Sequence, residues 1–88
     1  MRVVVPADVL VRELDGESVI LNLKSERYFG LDEVGTRIWA VLSTSESIQS
    51  AYEMLLSEYD VDGEQLRRDM QELVEQMVAH GLVEVSDR

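Results

Sequence analysis

The stretch SERYFGLDEVGTRIWAVL, Ser25 to Leu42, decides the fold, because within it an extended segment passes directly into a helix. The aromatic pair near its start predicts a short strand over residues 27–31. Asp32 then suits a helix N-cap, and apolar residues follow it at helical spacing. We therefore expect Leu31 and Trp39 to pack the strand against the first helix.

A β-hairpin is predicted immediately upstream of that strand. Residues 9–14 and 17–23 are rich in Val, Ile and Leu, and they flank Asp15-Gly16, a dipeptide that favours a tight type I′ turn. Together with residues 27–31 they make a three-stranded antiparallel meander, in which the third strand is an edge. A proline ahead of the hairpin confines any earlier strand to an edge or a lead-in.

The two faces of the hairpin follow from side-chain alternation counted outward from the turn. One face is expected to be the core face and comprises Leu10, Arg12, Leu14, Glu17, Val19, Leu21 and Leu23. The other, expected to face solvent, comprises Val9, Val11, Glu13, Ser18, Ile20 and Asn22.

Three amphipathic helices are predicted after the meander, which makes the fold class α+β. The second helix begins near residues 44–47. The third has the clearest end signals: Asp62 and Gln65 fit a capping box, and Gly81 fits the C′ position. The apolar stripes are Val34, Ile38, Val41 and Leu42; then Ile48, Ala51, Tyr52, Leu55, Leu56 and Tyr59; then Leu66, Met70, Leu73, Val74, Met77 and Val78. A short extended tail follows the third helix.

Composition narrows the class of protein. With 88 residues the chain is expected to be one domain, 1–88, and without cysteine it has no disulfide or thiolate metal site. Its formal charge is −10, and positions 46–88 hold eleven acids against three bases. Such a negative field disfavours nucleic acid as a partner.

No apolar run is long enough to cross a membrane, so we expect a soluble cytoplasmic protein with no membrane partner.

Catalytic constellations are absent from the sequence. There is one histidine, His80, and no glycine-rich phosphate loop, so we expect neither an enzyme nor a cofactor. Glu58, Asp60 and Asp62 begin an imperfect EF-hand pattern, but its twelfth position is Asp69 rather than glutamate. We therefore expect no metal site.

Two separated motifs of the sequence are distinctive. The first is YFGLDEVGTRIWAVL. The second is LRRDMQELVEQMVAHGLVEV, in which Asp69, Leu73, Met77 and Gly81-Leu82 are the matching positions. Together they resemble the PqqD-like family, the recognition elements that bind precursor peptides of ribosomally synthesised, post-translationally modified natural products (RiPPs). The similarity extends from about Val9 to Val83, and the chain looks most like the free-standing element of lasso-peptide pathways.

This resemblance implies a winged-helix-like fold that binds the leader of a precursor peptide without catalysis. The leader would add as a fourth antiparallel strand on strand three, beside the third helix. It also implies transfer of the leader to a leader peptidase and a ring-forming macrocyclase. The implied peptide-binding residues are Arg27, Tyr28, Phe29 and Gly30 on the strand and Arg67, Asp69, Met70, Gln71, Val74 and Met77 on the helix.

Two other functions remain open from the sequence. An acidic adaptor that binds only other proteins would need no further motif. A winged-helix DNA-binding regulator would need its third helix in the major groove, although acids outnumber Arg67 and Arg68 there.

Overall fold

Two small antiparallel sheets and three helices make up the computed structural model, which describes residues 1–86. The elements are β1 Arg2–Val4, β2 Val9–Leu14, β3 Glu17–Asn22, β4 Tyr28–Leu31, α1 Glu33–Thr44, α2 Ile48–Glu58, α3 Gly63–Ala79 and β5 Glu84–Ser86. The predicted α+β class, with a three-stranded meander followed by three helices, is confirmed. The last two positions of the predicted domain, 87 and 88, lie outside the described residues.

The meander forms as its turn chemistry predicts. Asp15 and Gly16 have φ of 55° and 83°, the two positive values that a type I′ turn requires. In the next turn the Asn22 side-chain oxygen accepts hydrogen bonds from the main-chain N–H groups of Lys24 and Ser25. The strand order is β2-β3-β4, so β4 is an edge strand as predicted.

A second sheet joins the two ends of the described chain. β1 pairs antiparallel with β5, with Val3 opposite Val85. The sequence predicted an edge strand or a lead-in before the hairpin and an extended tail after α3, but not that the two would pair. The two segments are far apart in the chain, and each is too short to be recognised as part of a sheet without its partner.

The predicted core face of the hairpin is wrong. Ile20 is 0% exposed and Ser18 is 5% exposed, whereas Leu14 on the other face is 77% exposed. The reason lies in β4: Leu31 is in register with Ser18 and leads the chain into α1. The helices therefore cover the face that carries Ser18 and Ile20, and the more apolar face stays open.

Ser18, a buried polar residue on that face, has its hydrogen-bond partner in the first helix. The hydroxyl oxygens of Ser18 and Thr36 are 2.8 Å apart, and the Thr36 hydroxyl also donates to the Leu31 carbonyl at 3.4 Å. A buried hydroxyl without a partner costs about 1–3 kcal/mol. This pairing lets a serine occupy the core face and links β3 to α1.

The helix ends follow the predicted signals, with one exception. Asp32 accepts a hydrogen bond from the Gly35 N–H, and Asp62 accepts one from the Glu64 N–H. The second half of the predicted capping box does not form, because the Gln65 amide donates to Asp69 instead. At the other end of α3, Gly81 has φ +71° in a Schellman motif, in which Gly81 N–H donates to the Val78 carbonyl and Leu82 N–H to the Met77 carbonyl.

The predicted helical stripes form the core with three exceptions. Val34, Leu56 and Val78 are 55%, 37% and 45% exposed, so each lies at the margin of its stripe. Trp39 is buried, as predicted, and packs in the core cluster with Leu31. The anchoring of the third strand against the first helix is therefore confirmed.

An exposed ion pair joins α1 to α2. The Arg37 guanidinium donates two hydrogen bonds to the Glu58 carboxylate, at 2.7 and 2.5 Å. These bonds hold the pKa of Glu58 below its ordinary value and raise the pKa of Arg37. Because the folded-state pKa of Glu58 is lowered, the contribution of the pair to stability is present at neutral pH and is lost as pH falls through that lowered value.

Candidate functional site: the open edge of β4

One edge of β4 has no strand beside it in residues 1–86. β3 occupies one side of β4, and the second sheet formed by the described residues is the separate pair of β1 and β5. β4 has no proline, and Tyr28 and Gly30 are both exposed. Natural proteins usually protect such an edge, because its free N–H and C=O groups can pair with another chain.

The direction of the main-chain groups along β4 follows from one hydrogen bond. Asn22 N–H donates to the Arg27 carbonyl at 2.8 Å, in the same register as the β3–β4 ladder. Because these directions alternate along an antiparallel strand, Phe29 and Leu31 also point their main-chain groups at β3. Tyr28 and Gly30 therefore point their N–H and C=O groups at the open edge.

The side chains of β4 alternate between two faces. Phe29 is half-buried and packs on the core cluster, and Leu31 is 7% exposed within it. Tyr28 and Gly30 lie on the opposite, uncovered face, and Tyr28 is 70% exposed. A strand added beside β4 would accordingly send alternate side chains towards the helices and away from them.

The C-terminal end of α3 contacts β4. The rings of Phe29 and His80 have centroids 5.5 Å apart and are tilted by 55°. His80 is the C-cap of α3, and its Nδ1 lies 2.7 Å from the Gln76 carbonyl oxygen. This contact identifies the side of α3 that faces the strand.

Residues at helical spacing from His80 share the side of α3 that faces β4. Asp69, Leu73 and Gln76 precede His80 by eleven, seven and four positions, so they lie on the same side of α3. Leu73 is half-buried against the core. We name the space between this side of α3 and the edge of β4 the β4–α3 groove.

A small apolar pocket lies near the N-terminal end of this side of α3. Its volume is about 160 Å³. It is lined by Val34, Ile38, Tyr59, Val61, Gln65, Leu66 and Asp69. The Asp69 carboxylate accepts a hydrogen bond from the Gln65 amide at 2.8 Å. The pocket lies between α1 and α3, and its lining suits an apolar side chain beside one carboxylate.

The predicted helix-side residues do not all lie in the β4–α3 groove. Arg67, Gln71 and Val74 line a different pocket, of about 330 Å³, on the other flank of α3. There the Arg67 guanidinium carbon is 4.4 Å from the centroid of the Tyr52 ring. Of the predicted helix residues, only Asp69 lies on the flank that faces β4.

Met70 and Met77 are almost fully buried, and Met70 also lines the pocket beside Arg67. They are 2% and 1% exposed, respectively, and belong to the core cluster. Leu73 and His80 were not among the predicted site residues. Their spacing from Asp69 was the available signal, but the contact of His80 with Phe29 is a tertiary fact that the sequence does not show.

Other kinds of site find no support in the part of the chain that the structure describes. Among residues 1–86, no group of His, Asp and Glu side chains could hold a metal ion. Asp62, within the EF-hand-like segment, caps α3. No helix in the same range has the length and apolar character needed to cross a membrane.

A sheet with an open edge beside a helix is typical of domains that bind an extended peptide by strand addition. The model of the family described as Coenzyme PQQ synthesis protein D (PqqD) matches residues 17–83, which is most of the chain. The chain belongs to the PqqD family. No curated protein sequence matches it.

Two solved structures have the same fold. TbiB1 in complex with the TbiA(beta) leader peptide matches with a TM-score of 0.85 and 30% sequence identity, covering 100% of both chains. A lasso peptide synthetase B1 complexed with the leader peptide matches with a TM-score of 0.83 and 24% identity. That match covers 97% of this chain and 100% of the other, and it supports the fold. The resemblance predicted from the two motifs is confirmed.

Proposed function

We propose that this chain binds the leader of a lasso-type RiPP precursor, which adds as a fourth antiparallel strand on β4. The observation that carries the proposal is the open edge of β4, where Tyr28 and Gly30 point their main-chain groups away from β3 beside the β4–α3 groove. The 30% identity to a protein solved with a leader peptide supports it.

The energetics require side chains as well as main-chain pairing. Tyr28 and Gly30 offer up to four ladder hydrogen bonds, each contributing about 1 kcal/mol net. Ordering a free peptide costs about 1–2 kcal/mol for each residue fixed. Apolar leader side chains must supply the difference, at about 1.5–3 kcal/mol each when buried. The groove beside Leu73 and the pocket beside Asp69 offer that burial.

The proposed role is non-catalytic, as is typical of PqqD-like recognition elements. In this role the whole chain acts as a single recognition domain in the cytoplasm and presents the leader to a leader peptidase and a macrocyclase. The predicted strand residues Arg27, Tyr28, Phe29 and Gly30 and the helix residue Asp69 form the proposed site, together with Leu73 and His80.

Hydrogen exchange tests strand addition directly. The probe is a peptide selected on the wild-type chain from a random library. On binding, the amide protons of Tyr28 and Gly30 are expected to become protected by about five- to tenfold, because a hydrogen bond worth about 1–1.5 kcal/mol forms at each. The amides of Val11 and Glu13, at the opposite edge of the sheet, are the internal control. Binding without protection at Tyr28 and Gly30 would rule out strand addition on β4.

A pair of variants decides which flank of α3 contacts the peptide. Leu73→Ala is expected to weaken binding about tenfold, because about 1.4 kcal/mol of apolar contact is lost. Gln71→Ala, on the flank with Arg67 and Val74, is expected to leave the dissociation constant unchanged. Calorimetric titration measures both, with thermal unfolding to confirm that each variant is folded. The reverse order of effects would place the peptide on the Arg67 flank.

A further inference from the structure

The backbone conformation of β4 does not require a glycine at position 30, in the middle of the strand. The φ of Gly30 is not positive, unlike those of Gly16 and Gly81. A Cβ atom built on Gly30 meets nothing within 4 Å, so no close neighbour requires a glycine there. Glycine weakens a strand, and an isolated one often marks a place where something else approaches. The absent side chain leaves open space on the face of the sheet away from the helices.

That space is part of a shallow depression of about 560 Å³. Its lining includes Gly30, Val19 and Leu14, together with the charged residues Arg12, Glu17 and Asp32. Val19 is directly opposite Gly30 in the ladder and is 45% exposed, and Leu14 is 77% exposed. The surface of this depression is mainly apolar, and one base and two acids lie around it.

The register of an added strand fixes what would reach the depression. Because Gly30 points its N–H and C=O at the open edge, the guest residue opposite it exchanges both hydrogen bonds with it. Directly opposed residues point to the same face and lie about 5.5 Å apart at Cα in such a pair. The side chain of that guest residue therefore points away from α3 and lies beside Gly30. A large ring there can cover the glycine and reach Val19, as aromatic residues do across edge glycines.

We propose that the bound leader is recognised on both faces of the sheet, with a large apolar, preferentially aromatic, side chain lying over Gly30. This inference rests on the proposed function. The guest residues opposite Phe29 and Leu31 point into the β4–α3 groove, and the residue between them fills the Gly30 depression. Gly30 is then a specificity-determining residue, which selects the size of one leader side chain.

The test combines two variants of Gly30 with two peptides. The first peptide is the random-library binder defined above, and the second has its residue opposite Gly30 replaced by alanine. Gly30→Val is expected to weaken binding of the first peptide by about tenfold or more. The valine side chain would occupy the space that the large guest side chain fills in the wild type. The second peptide is expected to bind the wild type and Gly30→Val within about twofold of each other, since no large side chain is displaced. Gly30→Ala should give a smaller loss than Gly30→Val with the first peptide.

Neither substitution at Gly30 is expected to destabilise the fold. A Cβ at Gly30 meets open space and valine favours strands, so both variants are expected to unfold at or above the wild-type temperature. Any stiffening of β4 would change the affinity for both peptides equally. Equal effects of Gly30→Val on the two peptides would overturn the inference and leave strand addition intact. Binding without amide protection at Tyr28 would overturn the proposed function as well.

Discussion

Replacing Tyr28 with proline is expected to weaken leader binding by about 10- to 100-fold while the domain stays folded. Proline removes the Tyr28 N–H, which points at the open edge and not at β3. The guest carbonyl opposite it is then buried without a donor, at a cost of about 1–3 kcal/mol. Calorimetric titration gives the affinity, and circular dichroism on heating reports whether the fold survives.

Two further variants separate the loss of the outward-pointing N–H group from the other effects of a proline substitution. Tyr28→Ala removes the same ring but keeps the N–H, so any difference between alanine and proline belongs to the hydrogen bond. Phe29→Pro removes an N–H that points at β3 and half-buried packing on the core, so it is expected to destabilise the domain itself. A folded Tyr28→Pro variant with wild-type affinity would show that no peptide strand pairs with β4.

Replacing Met70 with glutamate is expected to unfold the domain, although Met70 was predicted to contact the peptide. Met70 is 2% exposed in the core cluster, so a carboxylate there would be buried. A buried unpaired charge costs several kcal/mol, which is comparable to the whole free energy of unfolding of a small domain, about 5–15 kcal/mol. Denaturant titration followed by circular dichroism measures the loss.

The matched control is Met54→Glu on α2. Met54 is 52% exposed, so the same substitution places the carboxylate in water and is expected to change the unfolding free energy by less than about 0.5 kcal/mol. Burial raises the pKa of a carboxyl group, so the Met70→Glu variant should regain stability as pH falls and the new side chain becomes neutral. A Met70→Glu variant as stable as Met54→Glu would mean that Met70 lies at the surface in solution.

Local signals in the sequence were sufficient for the elements and their ends. Asp15-Gly16 predicts the type I′ turn, Asp32 the start of α1, and Gly81 the end of α3, because each depends on a few neighbouring residues and on the φ angles they tolerate. The edge position of β4 also followed, since consecutive antiparallel strands joined by short turns leave one side of the last strand without a neighbour. The two motifs that resemble the PqqD family are likewise runs of neighbouring residues, so the sequence alone was enough to identify them.

Tertiary structure decided which faces of these elements are covered. The apolar face with Leu14 and Val19 was predicted to be buried, yet the helices pack on the face with Ile20, because the direction in which Leu31 enters α1 sets the side. Periodicity identifies an apolar face but not its partner.

The same limit applied to the candidate site. The spacing of α3 gave its two flanks, but only the contact of His80 with Phe29 shows which flank faces β4. The sequence by itself determined the helices, the three-stranded meander and its open edge, through interactions between near neighbours. The side of the sheet that is buried and the wall of the groove depend on contacts between distant residues, and only the folded chain brings those residues together.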